Sequence, residues 1–212
     1  MRKPITTAIL AALVGAGGLL ASSDQSAVAA AGPASGKSSA SKTANAGTSR
    51  VLLARGAIGA QQAGATLLHD YGAFALYRVD GAVLDQLSRA GKLSQGVVSN
   101  RIEFTSTTLD TAGPPPAIPA AFTAKPNSGA SLQIVQYVGP IAKEWIAALN
   151  ATGAKIVQFM PENAYVVQAT AEQLTAIRAQ TQSGTSVQYV GPYLPYFKLA
   201  TTLAERANRG LT

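Results

Sequence analysis

Three features of the 212-residue sequence predict an α+β protein with two tandem modules. They are a strand and helix alternation over 131–198, a weaker echo of it over 49–112, and a proline-rich stretch over 113–130 between them. Hydrophobic residues make up 47% of the chain and charged residues only 13%, against a usual charged share of roughly 25%. With 20 Gly and 11 Pro as punctuation, that composition fits one or two small domains with modest cores, and excludes a large multidomain enzyme.

The chain opens on Arg2-Lys3, an apolar run from Ile5 to Ala21, and the small-residue stretch Ser26-Ala27-Val28-Ala29-Ala30. These are the three regions of a secretory signal peptide, predicted over 1–30 with cleavage after Ala30, or next after Ala29. A membrane anchor is the rival reading, but Gly15, Gly17 and Gly18 break the run short of about 20 strongly apolar residues. Removal leaves fifteen basic and nine acidic side chains on an exported chain without a stable membrane anchor. Residues 31–48 carry no large apolar side chain to offset the entropy of ordering, so they are expected to be a disordered leader.

The module over 131–198 reads element by element. Leu132 to Val138 is β-rich and ends at Gly139-Pro140, where Pro140 suits a first helical turn. Ile141, Trp145 and Leu149 recur at helical spacing until Gly153 supplies a stop. Ala154 to Met160 and Ala164 to Ala169 are β-rich runs around a Pro161-Glu162-Asn163 turn. Thr170 and Gln173 form a capping box before Leu174 and Ile177, and Ser186 to Val190 is the last strand. The order β-α-β-β-α-β is that of a ferredoxin-like sandwich, an antiparallel sheet with both helices on one face.

The module over 49–112 repeats this order in degenerate form. Gly64-Ala65-Thr66-Leu67-Leu68 matches Gly153-Ala154-Lys155-Ile156-Val157, and Ala75 to Val79 lies where Ala164 to Gln168 lies in the second copy. The first helix, Ala57 to Ala63, is short and glycine-containing, and Gly96 to Phe104 is expected as the last strand. The fold class is therefore α+β, two tandem ferredoxin-like modules joined by the Pro-rich linker 113–130, with 199–212 a C-terminal tail carrying a Thr202/Glu205 capping pair.

Chemistry is sparse. Without cysteine there is no disulfide, thiolate nucleophile or Cys-based metal site, and a triad would have to be built on the single histidine, His69. Glu162 and Asp110 have no carboxylate partner at a defined spacing, and Asn150-Ala151-Thr152 matches a glycosylation acceptor by letters only. No catalytic residue, metal or cofactor is expected. The formal charge of +7 is scattered, with no basic stripe interleaved with aromatics, so nucleic acid is not expected as a partner.

One pattern reaches further. Gln136-Tyr137-Val138-Gly139-Pro140 is echoed by Gln188-Tyr189-Val190-Gly191-Pro192, with strand punctuation as the plain account. Together with Trp145, Gly153-Ala154, Phe159-Met160-Pro161, Asn163 to Val167, Tyr193 and Lys198, it resembles the N-terminal prodomain of large exported bacterial subtilisin-like serine proteases. The resemblance covers Leu132 to Leu199, with weaker support over Ser49 to Thr111. It implies a non-catalytic propeptide that assists folding of a subtilisin-like catalytic domain and inhibits it, in cis or in trans. Its sheet would lie against the enzyme and its C-terminal tail in the substrate cleft. The residues so implicated in partner binding are Tyr193, Pro195, Tyr196, Phe197, Lys198 and Leu199, on an exit that its prolines extend. The other reading packs Tyr193, Tyr196 and Phe197 on their own sheet. The Asp, His and Ser contexts of the protease do not occur in the chain. A secreted adaptor that binds peptides or proteins, with no protease partner, is the alternative function, and an RNA-recognition domain shares the fold but lacks its aromatic consensus here.

Overall fold

The structure, a computed structural model, describes residues 47–59, 61–93, 96–123 and 129–210. The expected signal peptide and nearly all of the expected leader lie outside the described residues. Along the chain run β1 (Ser49–Ala54), β2 (Ala65–Asp70), β3 (Phe74–Val79), α1 (Gly81–Arg89), β4 (Arg101–Glu103) and β5 (Thr108–Asp110). After the Pro-rich segment follow β6 (Ser131–Tyr137), α2 (Lys143–Ala151), β7 (Lys155–Met160), β8 (Ala164–Ala169), α3 (Ala171–Ala179), β9 (Val187–Pro192) and α4 (Thr201–Asn208). The fold is mixed α+β with antiparallel sheets and, among the described residues, four α-helices.

The second half forms as its periodicity dictates. Its four strands are antiparallel in the order β7-β8-β6-β9, with α2 and α3 in the two crossovers. Pro161, Glu162 and Asn163 make the β7–β8 turn, with Glu162 and Asn163 both left-handed at φ of 62° and 59°. Thr170 caps α3 in the full reciprocal box with Gln173. Helix α2, by contrast, starts at Lys143 with Ala142 as its N-cap and without a side-chain cap. Pro140 lies ahead of the helix in a bend, where its carbonyl accepts a hydrogen bond from the Tyr71 hydroxyl.

The first half has a three-stranded sheet in the order β1-β3-β2. The short helix expected over Ala57 to Ala63 is replaced by turns among the described residues, with Ile58 buried under them. Its expected last strand, Gly96 to Phe104, divides: only Val97 bridges to Val51, and Arg101–Glu103 turns away to pair with β5. Asn100 and Ser99 serve side-chain hydrogen bonds there instead of a ladder. The pairing of β1 with β3 runs from Ser49↔Val79 to Ala54↔Phe74, and that of β6 with β8 from Ser131↔Ala169 to Gln136↔Ala164, six pairs in each. Both outer strands carry a bulge, at Leu68 in β2 and at Val157 in β7, each four residues after a glycine with φ near 78°.

The described residues form one compact unit, and the two halves share apolar clusters across the Pro-rich segment. One face of the first sheet packs on α1 through Val51, Leu53, Val79, Val83 and Leu87. Its other face sends Leu76 and Leu68 into the cluster of Tyr137, Trp145, Leu149 and Ile177, the helix side of the second sheet. A polar chain crosses the same seam. Arg50 donates to the carbonyls of Val138, Tyr137 and Ser99 and to Asn100 Oδ1. Gln188 Nε2 joins Asn100 to Thr111 at 2.9 and 2.8 Å, and Thr111 donates to the fully buried Gln136 at 2.5 Å. Buried polar groups paired in this way hold a unique register.

Candidate functional site

The second sheet carries α2 and α3 on one face, and the opposite face is lined by apolar side chains. Alternation along the strands puts Ile134 of β6, Val166 and Ala164 of β8 and Met160 of β7 on it, all buried. Three segments cover them. The β4–β5 hairpin contributes Ile102 and Leu109, the Pro-rich segment contributes Ile118 and Phe122, and the chain after β9 contributes Tyr196, Phe197 and Ala204. Phe104 stacks on Phe197 with ring centroids 4.3 Å apart at 9°.

This arrangement places the six residues expected to bind a partner. The extended exit lasts only to Leu194, after Tyr193 has donated its N–H to the Leu132 carbonyl at 3.0 Å, one residue past β9. From Pro195 to Lys198 the chain winds into a 3₁₀ turn with Pro195 at its start. Tyr196 and Phe197 are buried at 2% and 6% exposure, so they fill their own core and are not side chains held out for a partner's pockets. The physical reason is area: two large aromatic rings next to an uncovered apolar face are drawn onto it by the hydrophobic effect. Tyr193 and Leu199 are half-buried against the same cluster. Only Pro195 and Lys198 are exposed, the latter with its ammonium 5.1 Å from the Tyr193 ring centre.

Helix α4 then closes the cover. It begins at Thr201 with Ala200 as N-cap and no side-chain cap, so the Thr202/Glu205 pair does not form the box expected of it. Thr201 instead donates to the Thr105 carbonyl at 3.2 Å, and the Tyr196 hydroxyl donates to Asn208 Oδ1 at 2.9 Å. Tyr189 lies half-buried at the margin of the face, and burial raises its phenol above the ordinary range. Its ring occupies the space that a Cβ on Gly191 would need, which explains that glycine.

The remaining candidates separate. His69 sits on β2 with its ring 4.4 Å from that of Tyr71 and 4.9 Å from that of Trp145, its Nε2 3.4 Å from Glu144 Oε1. It is an aromatic packing partner at the seam. Glu162 lies in the β7–β8 turn, where its carbonyl accepts from Gln136 at 3.0 Å, and Asp110 caps its own turn through the Ala112 N–H. Missed in the sequence were the β4–β5 hairpin and its role as cover. Its signal was present, since Ile102 and Phe104 alternate and Ser106-Thr107 is a turn pair before Leu109.

Residues 92–194, just under half of the chain, match the family model described as a domain of unknown function (DUF8729). No curated protein matches. The matched stretch crosses the Pro-rich segment, takes in the β4–β5 hairpin with the whole second sheet, and stops before the 3₁₀ turn and α4.

Proposed function

We propose that the exported chain is a non-catalytic propeptide region that assists folding of a subtilisin-like serine protease catalytic domain and inhibits it, in cis or in trans. The observation that carries this reading is the face of the second sheet opposite α2 and α3. It is an apolar surface covered in part by the segment that follows β9, and that segment is the one the resemblance assigns to a substrate cleft. Docking by this route requires the chain from Leu194 onward to leave its own sheet. Release would free Tyr196 and Phe197 together with the patch around Ile134 and Val166 that they cover.

The same proposal takes the two halves as degenerate copies of one ferredoxin-like unit. The matched registers of β1–β3 and β6–β8, the equivalent bulges at Leu68 and Val157, and the helix N-caps Asp80 and Thr170 after β3 and β8 support it. In this alignment Phe74, and not Ala75, corresponds to Ala164, one residue from the match read in the sequence.

The mature protein, residues 31–212, is to be mixed with a cognate exported subtilisin-like protease. It should slow peptide cleavage by the folded enzyme and speed recovery of activity from the denatured enzyme. Absence of both effects would sink the propeptide reading. A secreted peptide- or protein-binding adaptor would then lead, and β7 favours it. This edge strand leaves Val157 and Phe159 more than half exposed, and an unpaired strand edge can accept an extended peptide.

A further inference from the structure

Arg50 and Arg78 are direct partners across the antiparallel β1–β3 pair, a position where like charges oppose each other at a free-energy cost. Both side chains reach toward the second half. Arg50 commits its fork to the Val138 carbonyl at 2.6 Å, to the Tyr137 and Ser99 carbonyls and to Asn100 Oδ1, while Arg78 donates from Nη2 to the Gly184 carbonyl at 2.6 Å. All these acceptors are neutral. Among the described residues neither guanidinium has a carboxylate within ion-pair distance, although three other arginines pair with carboxylates elsewhere.

The two cations border one open cleft of about 700 Å³ at the seam. Thr48, Ser49, Thr111 and Thr181 add hydroxyls to its lining and Asn100 and Gln188 amides, and among the described residues no acidic side chain lines it. Gly184 is shaped around one of the arginines: its φ is +62°, and a Cβ there would come to 3.2 Å from Arg78 Nη2. Burial, and then the neighbouring Arg78 charge, lower Arg50 to about 10, the sign expected where a second cation stands close without an anion between them.

We propose that this cleft binds a small oxyanion, phosphate or carboxylate, held by Arg78 and attracted by the charge of Arg50 behind it. Arg50 has spent its hydrogen bonds on the seam, so it supplies field. Arg78 is less engaged and presents the planar fork that suits a carboxylate or a phosphate. The Thr48 hydroxyl would add to the anion's shell, whereas that of Thr181 is already donated to the Arg178 carbonyl at 2.7 Å. A bound anion would offset the cross-strand repulsion and tie the first sheet to the α3–β9 loop that carries Gly184.

The test is thermal denaturation of the mature protein at pH 7 in millimolar sodium phosphate or sodium acetate, each against sodium chloride at equal ionic strength. The expected result is a saturable rise in Tm with at least one oxyanion that chloride does not give; the anion with the larger effect identifies phosphate or carboxylate as the source. Arg78→Gln should weaken the apparent affinity by about tenfold or more, and Arg78→Lys, which keeps the charge but not the fork, by less. Tm curves in both oxyanions that superpose on chloride would overturn the site, as would an undiminished response in Arg78→Gln. Should the Gln variant fail to fold, the wild-type comparison with chloride and the Lys variant still decide.

Discussion

Trp145 gathers contacts from both halves of the chain. Its ring stacks on Tyr137 at 5.7 Å and meets His69 and Tyr71 edge-on, so one residue read in the sequence as the apolar stripe of a helix also seals the seam. Trp145→Ala should cost roughly 3–5 kcal/mol, the range for truncating a buried large aromatic, measured by chemical denaturation of the chain over 31–212. A loss below about 1 kcal/mol, the scale of an ordinary surface change, would refute the packing. The tyrosines predict a pH dependence as well. Burial, and less so Glu144 and Tyr165 respectively, raise Tyr71 and Tyr137 above the ordinary phenol value of about 10, and burial raises Tyr189. A phenol raised on folding contributes stability that is complete below the unfolded value and lost as pH climbs past it, because the unfolded chain ionises first. Arg50, lowered to about 10, acts in the opposite sense, one group against three. The urea midpoint should therefore fall between pH 9 and pH 11, while absorbance near 295 nm shows tyrosines that ionise only as the protein unfolds. An unchanged midpoint would contradict the burial of these phenols.

The elements were legible where periodicity and punctuation agreed. From β6 to β9 each strand and helix falls within a few residues of its place in the sequence, because Gly153, the Pro161-Glu162-Asn163 turn and the Thr170 capping box are local signals with local causes. What sequence alone could not reveal is why a glycine sits at 139. A Cβ there would come within 2.7 Å of a methyl of Leu76, so the end of β6 can seat on the first sheet only if that side chain is absent. Punctuation is thus a long-range packing constraint. Gly139→Ala should destabilise by about 1–3 kcal/mol, the usual cost of overpacking a filled core. Adding Leu76→Ala to it should cost less than the sum of the two single changes, since the second substitution removes the atom that clashes. Additive losses in denaturation of the four proteins of this cycle would show that Gly139 and Leu76 do not meet. The sequence leaves the tail open for a similar reason: the prolines at 192 and 195 argue for an extended path, but the apolar face beside them decides in favour of the other reading, a buried turn.

At the scale of the molecule, the sequence marks 113–130 as a linker between two modules, and the structure joins those modules through their cores. Ile102 and Leu109 precede the Pro-rich segment yet lie in the cluster of Ile134 and Tyr196, while Leu76 lies with Trp145 and Ile177. Composition reports where the backbone is irregular, and here it does so correctly for the described residues 113–119. It does not report which surfaces meet, since that depends on side chains far apart in sequence, such as Arg50 on the Val138 carbonyl. Cutting the chain in this segment should then leave the two parts together. With a specific-protease site inserted in the exposed run 113–115, complete cleavage should yield two fragments on a denaturing gel but one species in size exclusion. Intact protein should unfold in a single transition, because neither sheet keeps both faces covered without the other half. Cleavage should lower the midpoint and make it depend on protein concentration, as the unfolding of a two-chain complex does. Fragments that separate in native buffer and unfold independently would mean that the shared clusters contribute little, and that 49–112 and 131–198 are domains in their own right.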